Sequence, residues 1–231
     1  DAFSDSVYRS YLNGYNITEA DVRFDTVRLA DMALYSTVIW HMSNKTVNIN
    51  LSDVGPELIQ YVQQGGNLLI TALNLDNAIL GFTPDYPYTT VKHDFLAREL
   101  GITSCLYKEG SYFSGAVPLS DSFPVLHNDT NKTRPENNYH IQAVYAFETQ
   151  SPAVPVYSYQ SQYPPFTDEG SMNGLQVGMY REIGNGKIIV LGFPLYYVIG
   201  EEATAFMQYV MRNIFEEHVE VYETAYKNEL R

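Results

Sequence analysis

Residues 51 to 79 read LSDVGPELIQYVQQGGNLLITALNLDNAI, and two periodicities meet inside this stretch. From Ser52 to Gly66 the apolar residues Leu58, Ile59 and Val62 fall at helical spacing. Ser52 is placed to cap this helix, and Asp53 and Glu57 lie near the positive end of its dipole. Pro56 falls in the first turn, where its missing N–H does no harm. Gly65-Gly66 stops the helix. Asn67 to Ala72 (NLLITA) then runs apolar without alternation, the pattern of a strand covered on both faces. Helix, tight turn and buried strand in immediate succession predict an α/β layer architecture with a parallel sheet.

Outward from this unit, Tyr35 to Met42 (YSTVIWHM) reads as a second buried strand and Val22 to Val27 as an alternating one. Upstream, Ser6 to Asn13 is a short helix that Ser4 or Asp5 can cap and Gly14 can end. Downstream, Val91 to Leu100 is helical and stops at Gly101. Residues 102 to 138 are rich in Ser, Gly, Pro and Asn and hold no sustained period, which predicts an irregular insertion on the sheet edge. Tyr139 to Glu148 and Ala153 to Tyr159 read as strands. Leu175 to Ile183 and Lys187 to Phe193, joined by Gly184-Asn185-Gly186, form the strongest hairpin signal. Glu201 to Glu217 is an amphipathic closing helix. The expected domain is therefore 1–217, with 218–231 a helical extension or linker.

Composition narrows the function. Lys+Arg 14 against Asp+Glu 27 leaves a net charge of −13, which disfavours nucleic acid and anionic membrane surfaces as partners. A content of 45% hydrophobic and 18% charged residues predicts a folded chain, and no apolar run approaches the ~18 residues that span a bilayer. Residues 1 to 20 hold no basic region followed by an apolar run, so no signal peptide is read here, and a processed piece of a longer protein is expected. The aromatic-rich, Lys-poor mixture points to an exported protein, secreted or at the cell surface. Asn-x-Ser/Thr sequons begin at Asn16, Asn44, Asn50, Asn128 and Asn131 and bear on function only in a host that glycosylates them.

The 51 to 79 stretch resembles the helix, Gly-Gly, strand, elbow segment of class I glutamine amidotransferase-like domains, a flavodoxin-like superfamily. GNGKIIVLGFPLYYVIGEEATAFMQYVMRNIF, residues 184 to 215, resembles the ending of exported members, where a Gly-Lys turn leads through a late strand to Gly-Phe-Pro and a last helix. IWHMS at 39 to 43 matches the third strand. The resemblance covers about two thirds of the chain by these motifs. It implies a mostly parallel sheet with helices on both faces, a C-terminal antiparallel hairpin and the edge insertion. Domains of this kind begin with a strand before the first helix, whereas this chain starts at that helix. Residues 1 to 3 are accordingly expected to pair marginally, or another segment to supply the strand.

The resemblance also implies where catalysis would sit: a nucleophile on the elbow after the Gly-Gly strand, activated by a His from a later strand. Here the elbow reads Ile70-Thr71-Ala72-Leu73-Asn74, without Cys or Ser. Cys105, the single cysteine, lies after a helix C-terminus, where the dipole opposes a thiolate, and reads as structural. His41, His93, His127, His140 and His218 show no metal-ligand spacing, and no cofactor motif is present. Ligands of open α/β sheets bind outside the carboxyl ends of the strands. This nominates a binding crevice of Trp40, His41, Thr71, Asn74, Asp76 and His140, with no catalytic residue assigned. The favoured reading is a non-catalytic structural or ligand-recognition module whose partners are neighbouring domains of the same longer chain. Two others stay open: a hydrolase using His41 or His140 with Thr71, and a carbohydrate-binding or oligomerisation module accessory to a glycosidase. The last would carry an aromatic groove among Tyr86, Tyr88, Tyr112 and Phe113.

Overall fold

The computed structural model describes residues 2–21, 27–43, 54–75, 85, 87–90, 95–133, 140–141 and 144–218. Helix α1 (Ala2–Tyr11) and the short α2 (Leu29–Met32) precede strand β1 (Thr37–Met42). Helix α3 (Gly55–Gln63) carries Pro56 in its first turn, and Gly65, at φ 109°, turns the chain into β2 (Asn67–Ala72). The chain continues through β3 (Tyr88–Thr89), a π-helical segment Phe95–Leu100, β4 (Ile102–Leu106), β5 (Gly115–Pro118) and β6 (Leu126–His127). Then come β7 (Ala146–Thr149), β8 (Val154–Gln160), β9 (Gln176–Ile183), β10 (Gly186–Leu191) and α4 (Gly200–Tyr209), which runs on as a π-helical segment Val210–Ile214.

Among the described residues, seven strands form the main sheet in the order β1-β2-β10-β9-β8-β5-β6. β1 and β10 flank β2 in parallel, with His41 opposite Thr71 and Leu191 opposite Thr71 from the other side. From β10 onward the pairings are antiparallel. The expected parallel sheet thus holds for the three strands next to α3, and an antiparallel half extends it. β9 and β10 form a hairpin that closes on Gly184-Asn185, with Ile183 opposite Gly186.

Alternation along β2 and β10 sorts the core into two layers. Leu69, Ile189 and Leu191 face α1 and α4, packing with Tyr8, Phe206 and Met207. Leu68, Ile70, Ile188 and Val190 face α3, packing with Leu58, Ile59 and Val62. Helices therefore cover both faces of the sheet, and every residue of β2 is buried. A second sheet, β3-β4-β7, lies on the α3 side and contributes Ile102, Cys105 and Phe147 to that layer.

The structure corrects the reading of residues 102 to 138 as an irregular insertion. β4, β5 and β6 lie within this stretch, and Phe113, Ala116 and Leu126 are core residues. The strands are only two to five residues long and separated by Ser-, Gly- and Pro-rich turns, so no period survives for a sequence window to detect. The strand expected from Tyr139 begins later, at Ala146, and the helix expected from Ser6 begins by Ala2, so residues 2 to 5 add no strand. The proposed strand at 22 to 27 falls on residues 22–26, outside the described residues, as do residues 219–231.

Candidate functional site

The carboxyl ends of β1, β2 and β10 converge where the chain turns out of each strand. Register places His41 beside Thr71, on the face that receives α1. Asp5 and Tyr8, one helical turn apart on α1, meet them there. The Tyr8 ring stacks on His41 at 4.0 Å and 17°, and its hydroxyl lies 3.4 Å from Thr71 Oγ1. Asp5 Oδ1 lies 3.4 Å from His41 Nε2.

Thr71 is fully buried, and its hydroxyl is already committed. It donates to the Phe193 carbonyl at 2.8 Å and accepts from the Leu195 N–H at 3.1 Å. Since a hydroxyl has one proton, Tyr8 must be the donor in the Tyr8–Thr71 contact. Thr71 thus pins the turn after β10 to the end of β2. A side chain so placed acts as a structural clasp, its single proton held by the Phe193 carbonyl.

The elbow beyond it carries a strained residue. Asn74 sits at φ 56°, in the left-handed region, and its buried Oδ1 has no hydrogen-bond partner among the described residues. This is the backbone geometry of a sharp turn out of β2. At the end of β1, His41 Nδ1 and Ser43 Oγ are likewise buried with no partner among the described residues. Left-handed backbone at a non-glycine residue costs about 1 kcal/mol, and an unmet buried acceptor about as much again. Asn74→Gly is therefore expected to stabilise the chain by about 1 kcal/mol, raising its melting temperature by about 2–4 °C in a thermal scan.

Burial pushes the His41 pKa below its ordinary value, against the opposing pull of Asp5 and Glu19. His140 is shifted the same way by burial. Both rings are therefore harder to protonate in the folded chain than in the unfolded one, so protonation favours unfolding. Their contribution to stability is complete above the unfolded pKa of about 6.5 and is lost as pH falls through it. Urea titrations between pH 7.5 and 5 should show stability declining by up to about 1.4 kcal/mol per pH unit per ring. His41→Phe, which keeps a ring on Tyr8, should remove its share of that slope.

The other nominated residues do not join this cluster. Trp40 alternates to the opposite face and packs with the α3 layer. His140 is carried to the antiparallel half because Ile141 bridges Phe113. There it stacks on Tyr112 at 5.0 Å and accepts from Gln162 Nε2 at 3.0 Å. Asp76 lies outside the described residues. Among the four residues of the expected aromatic groove, Phe113 is core, packed on Tyr159 and Phe193, and Tyr86 lies outside the described residues. Tyr8 and Asp5 were missed by sequence reading; their only signal was one helical turn of spacing, which names no partner strand. Among the described residues no three His, Cys, Asp or Glu side chains group in a way that would hold a metal ion, and no helix is long and apolar enough to cross a membrane.

No protein-family model matches the chain, and no curated protein does. Solved structures do resemble it. The β-galactosidase from Bacillus circulans sp. alkalophilus superposes with a TM-score of 0.55 at 13% identity, over 91% of this chain and 27% of that one. A structure described as "mmIFT52 N-terminal domain" superposes with a TM-score of 0.51 at 16% identity, over 92% of this chain and 90% of that one. A β-galactosidase from the Antarctic haloarchaeon Halorubrum lacusprofundi gives 0.47 at 12% identity, over 77% and 22%. The likeness is one of fold. The chain spans about a quarter of the length of these β-galactosidases.

Proposed function

We propose that this chain is a non-catalytic recognition module of glutamine amidotransferase-like, flavodoxin-like descent, built into a longer exported protein that acts on carbohydrate. The observation that carries this reading is the elbow. Its left-handed position is held by Asn74, and the neighbouring hydroxyl of Thr71 is spent on Phe193 and Leu195. A fold whose chemistry depends on an activated nucleophile at that turn has here an amide and a clasp. The accessory role is supported by the fold's occurrence as about a quarter of a β-galactosidase and as nearly the whole of another solved domain. Neighbouring domains of the same chain are the natural partners for such a unit.

The test is turnover. The chain, incubated with glutamine, aryl esters and aryl β-galactosides, is expected to release product no faster than buffer. Measurable hydrolysis that disappears in Thr71→Val while the variant remains folded would establish the hydrolase reading instead.

A further inference from the structure

Residues 161 to 174, between β8 and β9, form a loop closed on itself. The Ser161 N–H donates to Asn173 Oδ1 at 3.1 Å, Ser161 Oγ donates to the Glu169 carbonyl at 3.1 Å, and the Gly174 N–H donates to the Tyr159 carbonyl at 2.8 Å. Within it the Thr167 N–H and hydroxyl both donate to the Pro164 carbonyl. A Cβ at Gly170 would lie 2.1 Å from that carbonyl oxygen, so the two limbs touch backbone to backbone. Compact loops of this kind, with their ends close together, are frequently functional. This one is also tied to the segment after β4: Lys108 Nζ lies 3.0 Å from Asp168 Oδ1, and the Tyr112 N–H donates to the Glu169 carbonyl at 2.9 Å.

The loop holds its aromatic rings outward. Phe166 is 90% exposed, directly after Pro164-Pro165, whose fixed φ angles stiffen the tip. Tyr163 is half-buried and stands edge-on to Tyr112 at 5.5 Å and to His140 at 5.9 Å. His140, only 6% exposed, is sandwiched behind them and orients Gln162 by accepting from its Nε2. None of the described hydrogen bonds uses the Gln162 carbonyl oxygen. A loop closed by its own hydrogen bonds that leaves a phenyl ring in water, beside half-exposed tyrosines and exposed polar side chains, has a surface to offer.

We propose that this loop is a saccharide-binding platform for a neutral hexopyranose unit of a polysaccharide, an inference that rests on the recognition-module reading. The rings of Tyr163 and Phe166 would meet the C–H face of the sugar, whose partial positive charge suits an aromatic face. Gln162, Asp168 and Lys108 would bond its hydroxyls. A protein-docking face is disfavoured. Such faces bury about 800 Å² per partner and exclude charge from their centre, whereas here the apolar element is small and interleaved with charged side chains. The net charge of −13 argues against an anionic polysaccharide.

Native gel electrophoresis through soluble neutral galactan, mannan and glucan tests this. The chain should be retarded in at least one, and Phe166→Ala and Tyr163→Ala should each weaken retardation at least tenfold. Phe166→Ala should melt with the parent chain, because the ring contributes little buried surface. No retardation in any of the gels, or retardation undiminished by both variants, would overturn the platform. Retardation lost in Asn74→Gly and kept in Phe166→Ala would place recognition at the strand ends, ending this proposal and leaving the module reading intact. Self-association lost in Phe166→Ala, without retardation, would replace the sugar by a protein contact.

Discussion

Gly186→Ala is expected to lower the free energy of unfolding by at least about 3 kcal/mol, seen as a melting temperature about 6–12 °C lower. Gly186 opens β10 directly after the hairpin turn, and that turn is wedged against the end of α3. A Cβ there would lie 2.2 Å from both the Gly66 and Val62 carbonyl oxygens. Neither obstacle is a side chain that could rotate away. Both belong to the helix end and the Gly-Gly turn that aim β2 into the sheet. Relief would require the hairpin to lift off α3, disturbing the β2–β10 register from Ile188 to Leu191. Gly200 supplies the control. It lies in the first turn of α4 with nothing within 4 Å of its would-be Cβ, so Gly200→Ala should be neutral or stabilising by up to about 1 kcal/mol. Parallel thermal melts of the two variants compare a conformational effect with a steric one. Equal melting temperatures would mean that the turn and α3 are not packed as described.

What the sequence reveals of this fold follows how local each signal is. Asn67 to Ala72 is bounded to the residue because its apolar run is flanked by a helix stop and an elbow, both of which are local chemistry. The hairpin around Gly184 is legible for the same reason. β5 and β6 are not, since their burial comes from β8 and from residues such as Tyr157 and Phe206, far away in the chain. Their own residues, among them Gly115, Pro118 and His127, carry little β signal. The site divides likewise. His41 and Thr71 could be placed at strand ends, whereas the stacking of Tyr8 between α1 and β1 depends on how a helix docks. The separation of Trp40 from His41 was available in principle, because adjacent strand residues face opposite ways. Grouping them in one crevice ignored that alternation.

The identity of the elbow residue and the clasp beside it bear on one question, which Thr71→Val addresses. Valine keeps the shape of threonine and removes the hydroxyl. The Phe193 carbonyl and Leu195 N–H would then be buried with their described partner gone, and Tyr8 would lose its acceptor. At about 1–3 kcal/mol for each of the two unmet backbone groups, the variant should be destabilised by about 2–6 kcal/mol. Thr71→Ser restores the hydroxyl and loses one methyl, so it should recover most of that stability and remain about 1 kcal/mol below the parent. Urea unfolding of the three chains tests the ordering parent, Ser, Val. The same pair separates structure from chemistry. A clasp predicts that stability follows the hydroxyl while the parent hydrolyses nothing, whereas a nucleophile predicts turnover that follows it. If Thr71→Val unfolded with the parent, the hydroxyl would not be holding the β10 turn, and the argument that Thr71 is already committed would lose its basis.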